Sequence, residues 1–297
     1  MTMGIQVQHA FEPDLFRQLE EAGATALWVG GHVSSPYTTP EVIVRLAGLV
    51  EQTERVLLGT GVLLLPLYPP GLIAKQLADI DRASQGRLIV GVGVGGEQEG
   101  DFRACGVPVE ERGSRTDESI PLLRKFWTAE PVQHEGKHFR YDNVTIQPAP
   151  TQPGGPPLIV SGRSGPARRR AALLGDGWMP HLYSVRQYRE SVDEIKSLAA
   201  EAGRDLSTFS WVAFLAVSMD DDPVAARRAA LEGFGRSYGQ DVEQMLDKIA
   251  VVGTPEQVLT KMQDYVDAGA RHLVVSAQQG RQLLDELLPE LRVPRVS

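Results

Sequence analysis

Short runs rich in β-branched residues alternate with longer amphipathic runs along almost the whole chain, and few folds accept that rhythm. Residues 3–8, 26–29, 56–60, 87–92, 158–161, 177–179, 210–218 and 271–276 read as strands. Helical spacing marks 14–22, 39–52, 71–84, 116–128, 165–174, 185–202, 223–233, 254–268 and 280–291. In the first helix Leu15, Phe16 and Leu19 share a face and Gly23 ends the run, while Pro40 falls in the first turn of the second. Eight strand-then-helix units favour a closed (β/α)8 barrel of the TIM type over an open doubly wound α/β sheet. Two segments exceed the minimal repeat. Residues 95–113 form a polar insertion after strand 4, and 131–157 read as a β-hairpin and Pro/Gly-rich connector between helix 4 and strand 5. Insertions of this kind are where barrels shape substrate access. No linker separates two cores, so residues 1–297 are expected to form one barrel domain.

With 42% hydrophobic residues the chain can bury a large core, and its net charge of −8 argues against nucleic acid or an anionic membrane as partner. The single cysteine, Cys105, has no basic neighbour in sequence and reads as structural. The first residues lack the basic and apolar stretches of a secretion signal. The longest apolar run, 56–67, is broken by Gly59, Thr60, Gly61 and Pro66 and is too short to span a bilayer. A cytoplasmic globular protein is expected.

Two motif matches fail on context. His134-Glu135-Gly136-Lys137-His138 fits H-E-x-x-H, but zinc binding through it needs both imidazoles one turn apart on a helix. Pro131 before it, Gly136 within it and an aromatic run after it specify a hairpin instead. Gly91-Val92-Gly93-Val94-Gly95-Gly96 fits a dinucleotide fingerprint, yet no helix opens directly after it. Its glycines either admit a flat ligand to the backbone or allow strands to pack closely, and both readings stay open. Ser161-Gly162-Arg163-Ser164 joins a strand to a helix and could seat an anion on backbone N–H groups with Arg163 as a bidentate partner; Ser164 could equally serve as a helix cap. Arg168, Arg169 and Arg170 point in different directions on a helix and read as a solvated face. Glu97 reads as a solvated loop carboxylate.

The stretch LGTGVLLLPLYPPGLIAKQLADIDRASQGRLIVGVGVGG, residues 58–96, resembles the bacterial luciferase-like monooxygenase superfamily. The resemblance continues in order through 107–128, 156–178 and 252–275. It implies the same barrel, with coenzyme F420 or FMN bound without a covalent link at the strand mouths. By resemblance, His32 in WVGGHV occupies the position whose imidazole faces the cofactor ring, and Gly31 stands where an acidic neighbour is usual. Any carboxylate orienting His32 must then come from elsewhere. Gly61-Val62 matches the place where members often hold a non-prolyl cis peptide behind the ring. Ser161, Gly162, Arg163 and Ser164 resemble the phosphate loop, and His181 with Leu182 the second phosphate-side loop. Gln8, His9 and Gly93 complete the implied ring site. Some relatives place a proton-donating Glu where Gly96 stands here, which weakens the transfer of a sugar-phosphate dehydrogenase mechanism.

The implied activity is hydride transfer between F420 and a small organic substrate. Alternatives are an FMN-dependent monooxygenase fed by a separate reductase, or a catalytically silent flavin-binding barrel. A metal-dependent barrel hydrolase would need clustered ligands at strand ends, and the six histidines are scattered. The resemblance further implies a homodimer.

Overall fold

The computed structural model describes residues 2–7, 13–36, 38–238 and 249–277, with Glu243 and Leu246. Eight parallel strands close into a ring: β1 (Thr2–Gln6), β2 (Ala26–Val29), β3 (Leu57–Leu64), β4 (Leu88–Gly93), β7 (Leu158–Ser161), β8 (Gly177–Met179), β9 (Ser210–Met219) and β11 (His272–Ala277). β11 pairs back onto β1 and completes the barrel. Side chains alternate between two layers, as a strand period of two requires. Ala26, Trp28, Ile159, Met179, Val212, Phe214 and Val274 fill the barrel interior. The intervening Leu27, Val29, Leu58, Val160, Ala213 and Leu215 face the surrounding helices.

Those helices are α1 (Pro13–Glu21), α2 (Val42–Val50), α3 (Pro70–Ala83), α5 (Arg112–Phe126), α6 (Gly165–Leu174), α7 (Val185–Glu201), α8 (Pro223–Tyr238) and α9 (Pro255–Asp267). Ser184 and Thr254 start α7 and α9 with reciprocal capping boxes to Gln187 and Gln257. The helix expected at 280–291 lies outside the described residues.

Three details differ from the expectation. α2 begins at Val42, three residues late, because Thr39 spends its hydroxyl on the backbone of His32 and Glu41 supplies the cap to the Val44 N–H. A ninth strand, β10 (Ala250–Gly253), pairs with Ala216–Met219 of β9, on the edge that the three-residue β8 leaves open. The polar insertion after β4 contains a helix, α4 (Glu99–Cys105). It ends at Gly106 in the left-handed conformation (φ 65°), with the Val107 N–H donating to the Phe102 carbonyl. Glycines and charges on both sides hide this helix from a search for apolar periodicity.

The second insertion is the expected hairpin, β5 (Val132–Glu135) against β6 (Arg140–Val144). Its two histidines fasten it to α5, His134 through Glu118 at 2.9 Å and His138 through Ser114 at 2.8 Å. Glu118 also accepts the N–H groups of His138 and Phe139. Asp81 of α3, fully buried, holds the connector by accepting the N–H groups of Thr151 and Gln152. The hairpin therefore leans on the outside of α3 and α5. Arg168 and Arg170 are not a solvated face either. Arg170 is buried against Asp117 of α5, and Arg168 pairs with Glu194 of α7, because adjacent barrel helices converge there.

At the opposite end of the barrel Glu20 accepts the N–H groups of Glu54, Arg55 and Val56. Burial alone would raise its pKa, but these donors outweigh burial and hold it below the usual carboxylate value; Glu118 is lowered by the same opposition. A carboxylate with a lowered folded pKa contributes stability that is present above its unfolded pKa of about 4.3 and lost as pH falls through the folded value. Glu20→Gln is expected to lower the thermal midpoint at pH 7, and that difference should shrink progressively as pH falls below about 4.3, read by circular dichroism melts. A gap as wide in acid as at neutrality would refute the assignment.

Candidate active site

The mouth of the barrel, at the C-terminal ends of the strands, gathers most of the residues singled out by sequence. His32 follows β2 and is partly exposed; its Nδ1 lies 2.8 Å from Oδ2 of Asp101, which is 1% exposed. The other Asp101 oxygen accepts the N–H groups of Val33 and Ser34, each at 2.8 Å. This is the carboxylate that the missing acidic neighbour at Gly31 demanded, supplied by α4. His32 Nε2 has no hydrogen-bond partner among the described residues. The imidazole lines a small pocket with Leu64, Leu67, Pro40 and Tyr68. Tyr68 donates to Glu41 at 2.8 Å, and burial followed by that carboxylate pushes its pKa up. No residue of the hairpin lines this pocket.

Beside His32, the Gly61-Val62 peptide is cis and sits at a register shift between β3 and β4. Gln6, at the end of β1, donates from Nε2 to the Gly61 carbonyl at 3.3 Å, while its buried Oε1 has no partner among the described residues. A buried acceptor without a donor is costly, and one at a barrel mouth is a seat for a ligand N–H. A Cβ at Gly30 would meet the Gly61 carbonyl oxygen at 2.5 Å, so that position must be glycine for the two strand ends to approach. Gly93 is different: a Cβ there would meet a Val62 methyl at 2.7 Å. Close packing against Val62, rather than open space, accounts for this glycine.

Across the mouth, Ser161, Gly162, Arg163 and Ser164 link β7 to α6. Ser164 caps α6 through the Ala167 N–H, and Arg163 donates to the Leu182 carbonyl at 3.1 Å. Leu182 is held at φ +52°, a strained region for a residue with a Cβ. His181 stacks edge-on against Phe214, with ring centroids 4.7 Å apart. Although the residue as a whole is only half-buried, burial, then the Arg163 cation, pushes its pKa down to about 4. It is a neutral imidazole at pH 7.

Gln8 and His9 lie outside the described residues. Glu97 is exposed, and Glu99 pairs with Arg103 on the surface. Cys105 has its thiol pKa raised by burial and then by Asp101, which suits a structural role. Sequence reading missed Asp101 and Gln6. A signal for Asp101 was present in EGDFRACG, an acidic helix start with one buried aromatic and a glycine stop, but nothing local tied it to His32.

The histidine–carboxylate pair, the buried Gln6 acceptor and the arginine loop all stand at the strand C-termini of a closed (β/α)8 ring, the end at which barrel enzymes work. The pattern of the luciferase-like monooxygenase family matches residues 6–272, and the chain belongs to that family. It is 30% identical over 321 residues to an F420-dependent glucose-6-phosphate dehydrogenase of Nakamurella multipartita, covering 94% of this chain and 91% of that protein. It is also 30% identical over 245 residues to an FMNH2-dependent dimethylsulfone monooxygenase of Pseudomonas putida, covering 72% and 67%. The structure of an F420-dependent secondary alcohol dehydrogenase, bound to an F420-acetone adduct, shares the fold with a TM-score of 0.84 at 20% identity, covering 98% of this chain and 99% of that one. No helix among the described residues is long and apolar enough to cross a membrane.

Proposed function

We propose that this chain is an oxidoreductase that binds coenzyme F420 at the barrel mouth and exchanges a hydride with a small organic substrate. The observation that carries the reading is His32, fixed by a buried carboxylate with Nε2 unengaged, beside a backbone seat at Gly61-Val62 and the unsatisfied Gln6 Oε1. Gln6 would meet a ring N–H, and Arg163 with the backbone of Ser161 and Gly162 would hold phosphate; Leu182 and His181 would close that side. Bound F420 supplies a hydride carrier in which carbon replaces the reactive N5 of a flavin. His32 moves the accompanying proton at Nε2, and neutral His181 adds no positive charge where the phosphate's partner is Arg163. Reading residues 1–297 as one domain that works as a homodimer belongs to the same proposal.

A second reading is favoured by the monooxygenase relative, whose identity to this chain equals that of the dehydrogenase. FMN would then occupy the same seat, with reduced flavin delivered by a separate reductase. Spectroscopic titration of the purified protein separates the two. Saturable micromolar binding of F420, weakened roughly tenfold or more by Arg163→Gln, is expected from loss of a charge-assisted phosphate contact worth about 1.5–3 kcal/mol. Micromolar FMN binding with none for F420 would replace the first reading by the second.

A further inference from the structure

We infer that Asp101 is a positioning residue for His32: its buried carboxylate holds the imidazole as the Nδ1–H tautomer and leaves Nε2 as the atom that accepts a proton from a substrate hydroxyl. This rests on the oxidoreductase reading for the substrate's role, but the tautomer itself does not.

An ionised carboxylate only accepts hydrogen bonds, so the 2.8 Å contact requires the proton on Nδ1. In a neutral imidazole the other nitrogen then carries the lone pair. Asp101 cannot act on a substrate itself. One oxygen is committed to His32, the other to the Val33 and Ser34 N–H groups, and the side chain is 1% exposed. His32 is held from its backbone too, by Thr39, whose hydroxyl accepts the His32 N–H at 3.2 Å and donates to its carbonyl at 3.3 Å. His32 is therefore held at its backbone and at Nδ1, and only Nε2 of the ring is uncommitted among the described residues.

The distance between carboxylate and imidazole is set by how α4 sits on the loop after β2. Phe102 anchors the helix among Leu64 and Leu67 at the end of β3. Gly100 touches Ser34 so closely that a Cβ there would come within 3.0 Å of the serine Cβ. The polar insertion after β4, expected to shape substrate access, thus also carries the carboxylate that orients His32. Two other titratable groups lie near His32. Glu41 caps α2 and accepts from Tyr68, and Cys105 sits one turn beyond Asp101.

The test is nitrogen-15 NMR of histidine-labelled protein without cofactor, with His32 assigned by its loss in His32→Gln. Wild type is expected to show a protonated Nδ1 and a pyridine-type Nε2 at pH 7. Asp101→Asn places an amide N–H toward Nδ1 and should reverse the tautomer. With F420 and a turning-over alcohol, the same variant should lose about 10²–10⁴-fold in kcat, the range for a misassigned catalytic imidazole, with F420 affinity changed less than about threefold. An Nε2–H tautomer in wild type overturns the inference, even if Asp101→Asn does not fold. So does an asparagine variant with unchanged tautomer and kcat. Failure of F420 to bind would sink the functional reading while leaving the tautomer result to stand alone.

Discussion

His32→Ala is expected to lower kcat/KM by about 10²–10⁴-fold, the usual worth of a positioned general acid–base, while F420 binding weakens by less than about tenfold. The asymmetry follows from where the residue sits. The side of the mouth proposed to hold phosphate, at Ser161 to Ser164 and Leu182, lies across the barrel, and no contact joins it to His32 among the described residues. Removing the imidazole also leaves Asp101 buried without one of its three donors, but the Val33 and Ser34 N–H groups continue to satisfy the other oxygen. Moderate loss of stability should accompany the kinetic loss, so a thermal melt belongs with the assay. Cofactor titration and steady-state rates on the same preparation decide the matter. Unchanged affinity together with unchanged turnover would remove His32 from the mechanism.

The largest stability effect is expected at Trp28. Its indole is 3% exposed and lies inside the barrel between two glycines. A Cβ at Gly59 would meet the indole Cδ2 at 2.5 Å, and one at Gly4 would collide with its edge, so β1 and β3 are cut away to admit it. Trp28→Ala should cost about 3–5 kcal/mol, because the ring leaves a cavity that rigid strands cannot collapse to fill. The substitution should reach the site as well, since the indole Cε3 stands 3.6 Å from where a Gly61 Cβ would be and supports the backbone behind the implied ring. Trp28→Phe should cost less: its cavity is smaller, and it deletes a buried indole N–H that has no partner among the described residues. Urea denaturation read by circular dichroism gives both values. A Trp28→Ala midpoint matching wild type would mean that the barrel interior repacks freely, contrary to what two facing glycines imply.

Local chemistry made the strands, most helices and both insertions legible before any coordinates. Hydrophobic periods of two and of 3.6 residues, with glycine and proline stops, act within a few residues of themselves and so survive in the linear text. The hairpin is an example: Gly136 between His134 and His138 was enough to separate it from a zinc-binding helix. Family likeness added His32 and Gly61-Val62, whose cis geometry the structure contains. What sequence could not reach depends on contacts closed by the fold. β10 exists because β8 is short and exposes an edge of β9, a property of two neighbours far apart in the chain. The arginines of α6 are paired because adjacent helices bring Asp117 and Glu194 to them. Above all, Asp101 meets His32 across 69 residues, on a helix too short and polar to announce itself. Sequence alone determined the repeating unit and the end of the barrel where chemistry belongs. Only the tertiary structure decided which carboxylate orients the histidine, because that pairing follows from β2, β3 and β4 lying side by side and from Phe102 seating α4 on Leu64 and Leu67, not from any local pattern.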